Sequence, residues 1–179
     1  MFANVKENFL ICQMNGIVFF LAISVLFSCT TNKERIGLKI NRFEQALFLI
    51  DEGNIEEVSV GLEENFGTFN EVFASQIMRK GNLTNEQYSQ ELLDFTIHKD
   101  MREAYDSVSL LFTDFTAFEQ ELEFAFWQFS DYFPSYPIPE ITTFFGGFNY
   151  GVVTYDDNIA IGLENFLGEN SKYYQLLAN

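Results

Sequence analysis

Few side chains in this sequence combine in a way that could do chemistry. His98 is the sole histidine, and no cysteine follows Cys29. A zinc site built from nitrogen and sulfur ligands therefore cannot be assembled in the body of the chain. A single histidine near the start of a helical pattern reads as a surface or capping residue. Asp156 and Asp157 are adjacent acids that could grip a cation or share a proton, but no calcium-loop spacing follows them. A solvated turn is the simpler reading. Gly146-Gly147 does not match a phosphate-cradling loop; it suits a crowded strand end or a left-handed backbone position. There is no Gly-x-Ser-x-Gly elbow, and Ser135 and Ser171 have no base beside them. No catalytic, metal-binding or cofactor-binding residue is assigned, and binding or structural service becomes the expected class.

The thiol of Cys29 is the reactive group with a coherent setting. Residues 16–28 form an uncharged apolar run, and Cys29 is followed at once by Thr30, Thr31, Asn32 and Lys33. The run is too short to span a bilayer comfortably and fits an export signal. Leu26-Phe27-Ser28-Cys29 resembles a bacterial lipoprotein cleavage box, with Leu three residues before the Cys and a small residue just before it. Phe27 is bulkier than the usual residue at its position. The small Ser28 gives a peptidase access to the bond, and the thiol takes the diacylglycerol. Two or three acyl chains hold a domain at a bilayer far more durably than one. The expected organisation is a signal peptide over 1–28, a lipidated tether over 29–35, and a domain over 36–179. Either Met1 or Met14 could start the signal.

The elements that follow must build a core without disulfides, since both cysteines, Cys12 and Cys29, lie in or beside the apolar amino-terminal stretch. The composition allows it: 47% of the chain is hydrophobic and 22 residues are Phe, which excludes a disordered chain. The formal charge of −16 repels phosphate backbones and anionic lipid, so nucleic acid is not an expected partner.

Ile36, Leu38 and Ile40 alternate as a short strand. Helical spacing begins with Phe43, Ala46, Leu47 and Ile50. Ile55, Val58, Leu62 and Phe66 line a second helix, and Phe69, Phe73 and Ile77 continue the stripe past a possible break at Gly67. Asn54 with Glu57, Thr84 with Gln87, and Thr116 with Glu119 are candidate capping boxes. Gly81-Asn82 punctuates the chain. Tyr88, Leu92 and Phe95, then Met101, Tyr105, Val108 and Phe112, mark two more helices. Phe118, Leu122, Phe126 and Phe129 mark the last, which ends before Pro134 and has Trp127 beside its apolar face. These aromatic stripes read as core. After Pro137 and Pro139, three alternating runs at 141–145, 150–156 and 159–163 predict an antiparallel meander. The class is α+β: a Phe-rich helical layer followed by a three-stranded meander.

Several stretches resemble the gliding motility lipoprotein GldB family of the Bacteroidota. They are the start ending in Cys29, the segment Ile40-Asn41-Arg42-Phe43-Glu44 leading to Leu47-Phe48, and the region from Pro139 to Tyr174. The last includes Ile141-Thr142-Thr143-Phe144-Phe145-Gly146-Gly147-Phe148 and the run from Ile159 to Gly168. The resemblance implies a lipid-anchored envelope protein facing the periplasm. It also implies a non-catalytic role in gliding and partners in the gliding or type 9 secretion machinery. The family is in turn similar to predicted zinc-dependent proteases, in which a strand meander precedes the helix carrying the metal-binding histidines. This implies an incomplete zincin-like domain. The alternative it raises is the amino-terminal part of such an enzyme, lacking its metal-binding helix. GldB-like proteins normally continue beyond a point equivalent to Asn179, so the resemblance implies an amino-terminal portion.

Overall fold

The computed structural model describes residues 36–80 and 84–177. The signal, tether and Gly81-Asn82 readings fall outside those residues. The domain begins with strand β1 (Ile40–Arg42), which runs straight into the short helix α1 (Phe43–Leu47). The strand lies later than the Ile36–Ile40 alternation suggested. Helix α2 (Ile55–Phe66) ends at Gly67, whose positive φ of 41° suits a residue without Cβ and separates it from α3 (Thr68–Val72). A π-helical turn, Phe73–Ile77, continues α3, with Met78 N donating to Phe73 O at 2.9 Å. Helices α4 (Asn85–Ile97), α5 (Lys99–Leu111) and α6 (Thr116–Tyr132) complete the helical region. Strands β2 (Ile141–Phe144), β3 (Val152–Tyr155) and β4 (Asn158–Gly162) follow, then a 3-10 turn, Leu163–Phe166, and helix α7 (Lys172–Leu177).

The α+β class holds, but the meander does not. The sheet has four strands in the order β1-β2-β4-β3. β1 and β4 both pair parallel to β2, with Ile40 opposite Ile141 and Ile141 opposite Ile159. Among the described residues only β3 and β4 pair antiparallel. They form a hairpin whose turn places Asp156 at φ 46°. The hairpin turns back so that β4, not β3, docks against β2. Alternation announces a strand and its faces; it carries no information on which neighbour the strand will choose.

The phenylalanines make the core. Phe43 meets Phe66 and Phe69 edge-on, with ring centroids 5.0 Å away in both cases, and tilts against Phe73 at 4.7 Å. Phe48 stacks flat on Tyr105 at 3.8 Å and meets Phe145 edge-on at 5.4 Å. Each such pair adds about 1 kcal/mol beyond the burial of its area. Glycines let the sheet and helices close on each other. A Cβ on Gly162 would lie 2.2 Å from the Tyr150 carbonyl oxygen, and one on Gly146 would lie 2.6 Å from Ile77 Cγ2.

The capping boxes divide. Thr84 accepts from Gln87 N while the Gln87 side chain accepts from Thr84 N, the reciprocal box expected at the start of α4. Asn54 instead turns back, donating to Leu49 O and accepting from Asp51 N, and gives α2 no side-chain cap. Thr116 lies inside α6; its N–H and hydroxyl both donate to Asp114 Oδ1. Glu119 is drawn away from any box because its Oε1 accepts from Ile40 N at 3.0 Å. One turn on, Glu123 Oε1 accepts from Gly37 N, also at 3.0 Å. Spaced by four residues on one face of α6, these carboxylates satisfy backbone donors along the edge strand β1 and its lead-in.

Helix α6 corrects a second expectation. Its aromatic stripe is not core: no residue of α6 is fully buried, and Leu122, Phe126, Trp127 and Phe129 are only half-buried.

Candidate functional site

Parallel strands β1, β2 and β4 end at the same edge of the sheet, the edge at which open α/β sheets place their ligands. A buried polar cluster sits there. Glu44 lies in the first turn of α1, just past β1; Thr143 lies near the end of β2; Glu164 lies two residues past β4. Both glutamates are fully enclosed, each 0% exposed. Apolar residues immediately before each acid place it there: Ile40 and Phe43 bury the start of α1, while Ala160 and Leu163 bury the end of β4.

Glu44 Oε1 accepts from Arg42 Nε and Oε2 accepts from the Thr143 hydroxyl at 2.8 Å. Arg42 is itself held by Phe112 O at 3.0 Å and by the Phe115 ring, 4.2 Å from its guanidinium carbon. Glu44 thus has the pairing that a buried charge requires. Glu164 Oε1 accepts from Gly146 N at 2.7 Å and Phe148 N at 3.0 Å, pinching the turn after β2. That turn needs left-handed backbone at Gly147 (φ 71°) and Phe148 (φ 66°), so the carboxyl holds a conformation the chain would otherwise resist. Among the described residues Glu164 Oε2 has no hydrogen-bond partner. Burial pushes the Glu164 carboxyl up to about 7, the amide bonds pull it back, and the negative charge of Glu44 adds a smaller push. Burial, followed by the Glu44 charge, raises the Tyr105 hydroxyl as well.

An acid that titrates near neutrality can move a proton, but here it is walled off from solvent, and its one engaged oxygen is committed to backbone. Its contacts make it a clamp: Glu44 joins α1 to β2, and Glu164 joins the end of β4 to the turn after β2. Neither residue belongs to a motif with chemical spacing. The available signal was an acid placed directly on the end of an apolar strand run, as in Ile159-Ala160-Ile161-Gly162-Leu163-Glu164.

The residues singled out earlier do not converge on this cluster, Gly146 and Gly147 apart. His98 is exposed at the junction of α4 and α5. Asp156 and Asp157 are exposed in the β3–β4 turn. Cys29 lies outside the described residues. Among the described residues no group of three His, Cys, Asp or Glu side chains could hold a metal ion, and those residues show no zincin-like feature. Nor is any described helix long and apolar enough to cross a membrane.

The fold and cluster define an α+β domain on a mixed four-stranded sheet, with buried carboxyls clamping the ends of its parallel strands. A family model described as "Gliding motility protein GldB" matches residues 28–179, and the chain belongs to that family. The match gives no support to a likeness with zinc-dependent proteases. Searches of curated proteins and of solved structures returned no match.

Proposed function

We propose that this chain is a cell-envelope lipoprotein, anchored through acylated Cys29, that supports gliding by binding other proteins and not by catalysis. The observation that carries the reading is the extent of the family match: it starts at Ser28, one residue before the thiol, and takes in the whole folded domain. The cleavage-box pattern at Leu26, Ser28 and Cys29 supports the anchor. The enclosure of the Glu44–Glu164 cluster supports a binding role, because no substrate can reach its acids as they stand. The gliding or type 9 secretion machinery is the partner class the family suggests, with the domain on the periplasmic side of its membrane.

The test is Cys29→Ser in the native bacterium. The wild-type protein should fractionate with membranes and have the mass of a chain beginning at Cys29 plus acyl groups. The variant should lose the acyl mass and leave the membrane, and cells carrying it should spread poorly on agar. A variant that stays processed and membrane-bound refutes the anchor. Normal spreading of a strain deleted for the gene refutes the motility role.

A further inference from the structure

Helix α6 and the segment after it expose several aromatic side chains: Tyr132 is 80% exposed, Tyr136 65% and Phe124 60%, with Phe118 and Phe133 about half exposed. Phe118, Leu122 and Phe129 line one flank of the helix, Phe124 and Trp127 line another, and Phe133 and Tyr136 follow its end. Phe129, Phe133 and Tyr136 form a cluster, with Phe129 and Phe133 at 4.9 Å and Phe133 and Tyr136 at 6.1 Å. On the side turned to the domain Glu119 and Glu123 hold Ile40 N and Gly37 N, while Glu121 and Asp131 are exposed on the helix.

We propose that this aromatic face of α6 rests on the surface of the bilayer that holds the lipid anchor. The proposal builds on the Cys29 reading. Ile36 lies seven steps along the chain from Cys29, with six residues between them, and a chain of that length reaches no more than ~25 Å. The neighbouring Gly37 is bonded directly to α6, so acylation at Cys29 would keep this helix within one bilayer thickness of the membrane. Tyrosine and tryptophan settle at the headgroup level because one end of each ring system is apolar and the other polar. The formal charge of −16 selects against anionic lipid, so the surface is one of zwitterionic headgroups. Their ammonium groups also suit aromatic faces.

Trp127, the only tryptophan in the sequence, lies on α6 against Phe124 with centroids 6.2 Å away. It reports on the contact. The acylated full-length product would be reconstituted into phosphatidylethanolamine–phosphatidylcholine vesicles carrying brominated acyl chains. Intact mass establishes its acylation, and circular dichroism compares its fold with that of the variant Phe118→Ser/Tyr132→Ser/Phe133→Ser/Tyr136→Ser, in which every changed residue is exposed. The expected result is quenching of Trp127 in the wild type and loss of that quenching in the equally folded, equally acylated variant. Equal quenching in both, or none in the acylated wild type, overturns the proposal and leaves the anchor intact. A product without acyl mass overturns the anchor and the proposal together.

Discussion

Replacing Glu164 with Gln separates the charge of this buried acid from its shape. The Gln carbonyl oxygen can still accept from Gly146 N and Phe148 N, now at 2.7 and 3.0 Å from Glu164 Oε1, while the titration disappears. In the folded protein the carboxyl keeps its proton up to about 7 instead of the ordinary 4.5. At about 1.4 kcal/mol per pH unit, the difference corresponds to roughly 3 kcal/mol. The sign follows from proton counting. Between the two values the folded state binds more protons than the unfolded one, so this group's contribution is fully present below pH 4.5. It is lost as pH rises to about 7, and is flat above that. The Gln variant lacks this dependence. Its stability relative to wild type should therefore rise by about 3 kcal/mol from pH 4.5 to pH 8, whatever its starting offset. Urea unfolding of both proteins in the same detergent, followed by Trp127 fluorescence at several pH values, measures the difference directly. Difference infrared spectra should show a protonated-carboxyl band in the wild type that titrates near neutrality and is missing from the variant. A stability difference constant across the window would refute the assignment of a raised Glu164 pKa.

Other expectations concern single contacts. Arg42→Met leaves Glu44 enclosed without its cation and should cost about 3–5 kcal/mol in urea unfolding, with most of it recovered in Arg42→Met/Glu44→Gln. Gly162→Ala drives a Cβ to 2.2 Å from the Tyr150 carbonyl oxygen; because backbone must move, a loss of about 3 kcal/mol in the same measurement is expected. Thr84→Ala removes the reciprocal cap of α4 and should cost about 1 kcal/mol. Glu119→Ala should expose the Ile40 amide, raising its hydrogen exchange well above that of Thr142 on the central strand β2, while the rest of the sheet stays protected.

The sequence by itself determined the local elements of this protein. The period of the apolar residues located the helices and the strands near 141, 152 and 158, since burying a side chain needs only the right face of a regular element. Gly67 marked a helix break, and Thr84-Gln87 a cap, because both act over a few residues. Family membership was also legible, in the runs around Ile40–Glu44 and Ile141–Gly168. Tertiary structure decided what depends on residues far apart in the chain. It paired β1 with β2 across about a hundred residues and inserted β4 between β2 and β3. It took Glu119 from a capping role and set it on the edge of β1, and it left α6 outside the core although its pattern matches that of a core helix. It also enclosed Glu44 and Glu164, two ordinary acids in sequence, at the common end of three parallel strands. Burial and the partners a charge meets there belong to the assembled fold, because they depend on residues far apart in the chain.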